Sequence, residues 1–253
     1  MEFLKCERDG DLLIVTMSRG KANALNPVLV DELIEAFQAA AAAEDVKGVV
    51  LASDRPRFFS SGFDIAEVFG FDREPMSKFF GRFIDCYETM FDFRKPLVAA
   101  VSGHAFAGGA VLALACYARV MAAGEFGFAL NEVNLGMVVP PGFIRMAIHA
   151  AGSRHARTIV VEGRTISPAQ AQSMGLADDV VEESAVLERA KALALDLAAK
   201  PANAWWTVRK LFVEAISDWP VGDDRKWIGE FVEHWFSPDA TARKEALIQS
   251  LKR

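Results

Sequence analysis

The stretch Leu97–Ala118, LVAAVSGHAFAGGAVLALACYA, decides how the chain is read. It carries no charged side chain apart from His104, should that take a proton, and it is long enough to span a bilayer. A membrane helix would have to absorb Gly103, Gly108 and Gly109, with Ser102 and His104 near its start. The β-branched run and the glycines instead punctuate it as a buried strand over Leu97–Val101, a Gly-rich turn, and a buried helix over Ala110–Tyr117. That strand–turn–helix unit makes the chain α/β.

The flanking sequence repeats the pattern. Toward the N-terminus, short β-like runs (an edge strand, Leu12–Met17 after a turn at Asp9-Gly10-Asp11, then Val49–Ala52) alternate with helical spacing. From Pro27, Leu29, Leu33, Ile34, Phe37, Ala40 and Ala41 share one helical face, with Asn26 placed to cap it. Arg119–Ala122 reads as another strand. Beyond Gly163 the pattern is almost all helical: Ser184–Ala199, Asn203–Ile216, Asp223–Phe236 and Pro238–Leu251, punctuated by Pro201, Pro220 and Pro238. We expect an α/β core over residues 1–195 and a helical subdomain over residues 196–253, with Trp205, Trp206, Trp219, Trp227 and Trp235 packing that subdomain or an oligomer interface.

The 253 residues are 52% apolar and 25% charged, enough for a sizeable core. The net charge of −6 argues against a nucleic-acid partner, which would need a basic footprint. The N-terminus lacks the basic and apolar regions of a signal peptide, and Leu251-Lys252-Arg253 is no peroxisomal address. Cys6, Cys86 and Cys116 are odd in number and far apart, which suits a reducing compartment. A cytoplasmic protein without a membrane role is the expectation.

Most catalytic signatures are missing. There is no P-loop, no GxGxxG, no HExxH, no CxxC and no GxSxG, so neither a metal site nor a serine nucleophile is expected. His104, His149, His155 and His234 have no ligand-like spacing and read as packing or surface residues. Two segments stand out because each runs from a strand through small residues into a helix. One is Phe59-Ser60-Ser61-Gly62-Phe63-Asp64, where Asp64 and Glu67 have capping-box spacing. The other is Ala107-Gly108-Gly109. Either could be simple capping or close packing. Two such turns, each with a free amide, could also converge on one oxygen, which is an oxyanion hole. That chemistry needs a base. Glu132, in Leu130-Asn131-Glu132-Val133-Asn134-Leu135-Gly136, sits among apolar neighbours that would raise its pKa toward neutrality. It could equally be a surface or capping glutamate.

Together these segments resemble the crotonase superfamily, the enoyl-CoA hydratase/isomerase family. The resemblance also rests on Arg19-Gly20-Lys21-Ala22-Asn23-Ala24-Leu25-Asn26, on Lys95-Pro96, and on Ser167-Pro168-Ala169-Gln170-Ala171 with Gly175-Leu176. It implies a spiral core of ββα turns closed by C-terminal helices, and a homotrimer or a dimer of trimers. It implies an acyl-CoA substrate whose CoA is no separate cofactor, lying against Ala22, Ala24, Leu25, Ser61, Gly62, Asp64, Ile65 and Asn131, and oxyanion donors at Phe63 and Gly108. Arg19, Lys21 and Arg55 are candidates to offset the anionic CoA.

Typical hydratases of the family carry two glutamates. One matches Glu132; the other falls on Val111. The sub-family most similar at Ser53-Asp54-Arg55-Pro56, Ala107-Gly108-Gly109 and Leu130-Asn131-Glu132 is the mitochondrial-type 3-enoyl-CoA to 2-enoyl-CoA isomerase, which works with a single glutamate. The resemblance therefore implies an isomerase acting in fatty-acid metabolism. Another reaction of the superfamily (hydration or thioester hydrolysis) and an inactive acyl-CoA-binding subunit are the alternatives.

Overall fold

A computed structural model of the chain describes residues 1–216 and 223–251. Trp219, Pro220, Lys252 and Arg253, which entered the reading above, lie outside the described residues. The chain opens with β1 (Leu4–Asp9) and β2 (Leu12–Met17), an antiparallel pair joined at Gly10, whose φ of +56° costs a glycine little. Helix α1 (Pro27–Ala42) starts where Asn26 Oδ1 accepts from the Leu29 amide at 3.0 Å, a cap worth about 1 kcal/mol. Lys95 Nζ donates to the carbonyls of Ala40 and Ala43, both at 2.7 Å, and so closes its other end.

Next come β3 (Gly48–Ser53), β4 (Phe58–Ser60), the short α2 (Ile65–Val68) and α3 (Arg73–Phe91). The stretch that decided the reading follows: β5 (Leu97–Val101), β6 (His104–Phe106) and α4 (Gly108–Ala115). What the sequence presented as a Gly-rich turn thus contains a three-residue strand, and the helix begins at Gly108 rather than Ala110. Among the described residues no helix is long and apolar enough to cross a membrane. Then come β7 (Ala118–Ala122), β8 (Phe128–Ala129), a 3-10 turn over Glu132–Leu135, α5 (Pro141–Val160), α6 (Pro168–Met174) and β9 (Asp179–Val181). The end is helical: α7 (Val186–Ala198), α8 (Ala202–Ile216), α9 (Ile228–Trp235) and α10 (Pro238–Leu251).

Two sheets form. The larger has the order β1-β2-β3-β5-β7-β9 and is parallel apart from β1. Both of its faces are covered, which is why its strands read as nearly unbroken apolar runs. Leu12, Val50, Val98, Ala100 and Val120 cluster with Val186, Ala190, Ala194 and Leu197 of α7. The intervening residues Val15, Val49, Leu51, Ala99, Val101 and Met121 join the main core with α1, α3 and α4. Each such valine or leucine gains about 1.5–3 kcal/mol by full burial. By packing, α7 belongs with this sheet to its end at Ala198. β9 interrupts the expected helical run because three residues, Asp179-Val180-Val181, show no periodicity.

The smaller sheet, β4-β6-β8, is parallel, with Ser60 opposite Ala105 and Ala105 opposite Phe128. Its strands are two or three residues long. Their carboxyl ends lie side by side, and in parallel sheets that is the edge where ligands bind.

Candidate active site

Each strand of the smaller sheet runs through a turn into helical structure. From the paired residues Ser60 and Ala105, three steps along each chain reach Phe63 and Gly108. The next strand over leads to Glu132 at the start of the 3-10 turn. The register thus gathers at one edge two turns and a carboxylate that are far apart in sequence.

The two turns touch. Gly62 has φ +86°, and a Cβ built on it would lie 2.9 Å from the Phe106 carbonyl oxygen and 3.1 Å from the Gly108 amide nitrogen. A Cβ on Gly109 would lie 2.3 Å from the Ser60 carbonyl oxygen. Only glycines allow backbone to approach backbone this closely. Ala107 takes φ +47°, ψ −122°, a conformation costly for a side chain with a Cβ, and this tight bend precedes the Gly108 amide.

The surrounding backbone bonds leave two amides over. Gly62 donates to Ser60 Oγ, Asp64 to the Leu25 carbonyl, Ala107 to the Ala129 carbonyl and Val111 to the Ala107 carbonyl. Among the described residues, neither the Phe63 nor the Gly108 amide has a protein acceptor. Gly108 is the first residue of α4, where no intrahelical partner exists. The Phe63 ring turns away into a cluster with Phe79, Phe80, Phe83 and Phe231, its centroid 4.7 Å from that of Phe79 and 4.9 Å from that of Phe83. That is how a bulky residue fits at a tight turn.

Glu132 is only 8% exposed. Its Oε2 is buried with no hydrogen-bond partner, and no ion pair reaches it among the described residues. Burial pushes its carboxyl up to about 7, partly offset by its own backbone amide. Beside it, Asn131 Oδ1 is also buried without a partner. The turn itself is firmly held. Asn134 Nδ2 donates to the Gly163 carbonyl at 2.8 Å, and Arg243 of α10 donates to the Asn134 carbonyl at 3.2 Å. Val111, on α4, is fully buried.

The segment Ala22–Leu25 runs alongside the first turn. Ser61 donates to the Ala22 carbonyl at 3.0 Å, Leu25 to the Gly62 carbonyl at 2.7 Å, and Asp64 to the Leu25 carbonyl at 2.8 Å. Ala22, Ala24, Leu25, Ser61, Gly62, Asp64 and Ile65 are therefore brought to one place, while Asn131 stands beside Glu132. Asn23, to which the sequence reading gave no role, is the staple. It is fully buried at φ +46°, its Nδ2 donates to Ser53 Oγ and the Phe59 carbonyl, and its own carbonyl accepts from Ser60 Oγ. The signal was present, since asparagine tolerates the left-handed region better than most residues.

One expectation needs correcting, the capping box. Asp64 accepts from the Glu67 amide at 3.2 Å, but the Glu67 side chain does not return to complete a capping box. It accepts from Arg19 Nη2 at 2.8 Å and from Asn26 Nδ2 at 3.0 Å. Of the candidate CoA cations, Arg19 is committed to Asp64 and Glu67, and Arg55 to Asp54. Lys21 is exposed and, among the described residues, has no ion pair. No three His, Cys, Asp or Glu side chains gather to hold a metal ion among the described residues.

This arrangement can polarise a carbonyl with two amides and move a proton with one carboxylate. The sequence model of the enoyl-CoA hydratase/isomerase family matches residues 7–226. The chain is 27% identical over 217 residues to mouse mitochondrial enoyl-CoA delta isomerase 1, covering 85% of this chain and 75% of that protein. It is 34% identical over 199 residues to a probable enoyl-CoA hydratase of Rhizobium meliloti, covering 78% and 76%. The crystal structure of human mitochondrial delta3-delta2-enoyl-CoA isomerase superposes with a TM-score of 0.93 at 24% identity, over 99% of this chain and 98% of that one, which shows a shared crotonase fold.

Proposed function

The chain belongs to the enoyl-CoA hydratase/isomerase family, and on that premise we propose that it moves the double bond of a 3-enoyl-CoA to the 2-position. Glu132, as carboxylate, takes a proton from C2. The electron pair delocalises into the thioester carbonyl, whose oxygen becomes enolate-like and rests on the amides of Phe63 and Gly108. The same carboxyl then delivers its proton to C4 as the double bond settles between C2 and C3. Atoms and charge balance, and no water is consumed.

The observation that carries this reading is the buried carboxyl of Glu132, without an ion pair among the described residues and raised to about 7; by the resemblance, the second glutamate of typical hydratases falls on Val111, which is buried. A base poised near the working pH both accepts and returns a proton readily. Water addition is the second reading, favoured by the 34% identity to the probable hydratase. Product analysis decides between them. The protein is supplied in parallel with a 3-enoyl-CoA and a 2-enoyl-CoA. We expect conversion of the first to the 2-enoyl product, with little 3-hydroxyacyl-CoA from the second. Hydration faster than isomerisation would reject the proposal.

A further inference from the structure

Away from the strand ends that carry Phe63, Gly108 and Glu132, a cavity of about 670 Å³ opens between β7, α5 and α8. That volume is typical of small-molecule sites. Its charged lining is unbalanced: Arg119, Arg209 and Lys200 stand against the single carboxylate of Asp178. Arg119 is internally satisfied, donating to the carbonyls of Leu176 and Cys116 and pairing with Asp178 at 3.2 Å. Lys200 pairs with Asp196.

Arg209 is different. It is 7% exposed, one nitrogen donates to the Phe91 carbonyl, and its Nε is buried without a partner. Among the described residues no carboxylate stands within ion-pair distance of it, and Asp92 acts only at longer range. The rings of Phe91 and Trp206, 5.3 and 5.5 Å from its guanidinium carbon, hold the fork in place. Nearby, His149 Nδ1 is also buried without a partner, its ring edge-on to Phe91 and Phe212. A buried guanidinium whose only described counter-charge, Asp92, lies beyond ion-pair distance is costly, and a planar carboxylate is the anion its fork fits. The remaining wall is apolar. Val208 and Phe212 are 66% and 57% exposed, large values for such side chains, and an apolar body would cover them.

We propose that this cavity is a second binding site, separate from the acyl-CoA site, for a small apolar monocarboxylate whose head pairs with Arg209 and His149 and whose body lies on Trp205, Val208 and Phe212. A dianionic phosphate is disfavoured because Asp178 shares the lining.

The probe is 2-naphthoate, titrated calorimetrically into the full-length protein, with uncharged 2-naphthylmethanol as control. We expect saturable binding of one naphthoate per chain, about tenfold or more tighter than the alcohol. Arg209→Gln should weaken it about tenfold, and Phe212→Ala, at an exposed position that folding tolerates, about threefold. Crotonyl-CoA affinity should stay within about twofold in both variants. Equal affinity for the two probes would overturn the proposal, as would naphthoate affinity unmoved by Phe212→Ala. Competition between naphthoate and crotonyl-CoA would place the probe in the acyl-CoA site and overturn it too. So would sedimentation showing that a second copy of the chain covers this face and excludes the probe.

Discussion

Two of the three short parallel strands deliver acidic side chains to the same edge, and the two settings differ sharply. After β4, Asp64 and Glu67 are answered by Arg19, with bonds of 2.7 and 2.8 Å, and by Asn26. After β8, Glu132 is buried with no cation paired to it among the described residues and Oε2 without a hydrogen-bond partner, and its carboxyl is pushed up to about 7. The first setting holds a loop, because its carboxylates are tied by short bonds to Arg19 and Asn26. The second suits proton transfer, because burial without a partner brings the two protonation states close in energy near neutral pH. On the proposed function, an acid beside the site serves as scaffold or base according to whether a cation is paired with it.

That contrast is broken most severely at Glu132. Glu132→Gln should lower kcat for isomerisation by about 10²–10⁴-fold while leaving acyl-CoA affinity nearly unchanged, as read by steady-state kinetics and direct titration. Next in size is the turn that both amides share. In Gly62→Ala the added Cβ would meet the Phe106 carbonyl oxygen at 2.9 Å in a left-handed conformation, so the turn must move. We expect kcat to fall by about 10²–10³, the loss typical of one oxyanion donor.

The pH response is smaller. The proton-accepting form of Glu132 is the ionised one, so kcat/KM should fall about tenfold from pH 8 to pH 6. The same shift acts on stability with a definite sign. The folded carboxyl keeps its proton to a higher pH than the unfolded one, so wild-type stability drains away as pH climbs from its ordinary value near 4.5 to about 7. Glu132→Gln escapes that loss. Its stability relative to wild type should rise by on the order of 3 kcal/mol between pH 4 and pH 8, measured by denaturant unfolding. The smallest effect belongs to the paired side. Arg19→Met should cost about 1 kcal/mol of stability and raise KM, with kcat within about threefold of wild type. A large fall in kcat there would erase the distinction between the two settings.

The larger sheet was legible because its strands are long enough to show apolar runs and are bounded by turn residues; Leu12–Met17 and Leu97–Val101 have the same bounds in sequence and structure. The smaller sheet was not. Phe58–Ser60, His104–Phe106 and Phe128–Ala129 are too short for any period to appear, and only parallel pairing across long sequence separations makes them strands. The candidate site was therefore read from its glycines and its lone glutamate, not from the sheet that assembles them. Gly62 and Gly109 stood out because glycine marks close approach, whereas the bend at Ala107 left no trace, since alanine carries no backbone signal. The bonds of Arg19 to Asp64 and Glu67 were not legible, because these partners lie 45 and 48 residues away and spacing alone does not pair them.

The most direct test is a pH titration of the glutamate side-chain carboxyls by ¹³C NMR, with Glu132→Gln to assign the signal. Glu88 is expected to titrate high as well, since burial and the nearby Asp224 and Asp85 push it to about 7, so the variant is needed to tell the two apart. The signal lost in Glu132→Gln is expected to have its midpoint near neutral pH in the wild-type protein. A midpoint in the ordinary carboxylate range, close to 4.5, would contradict it.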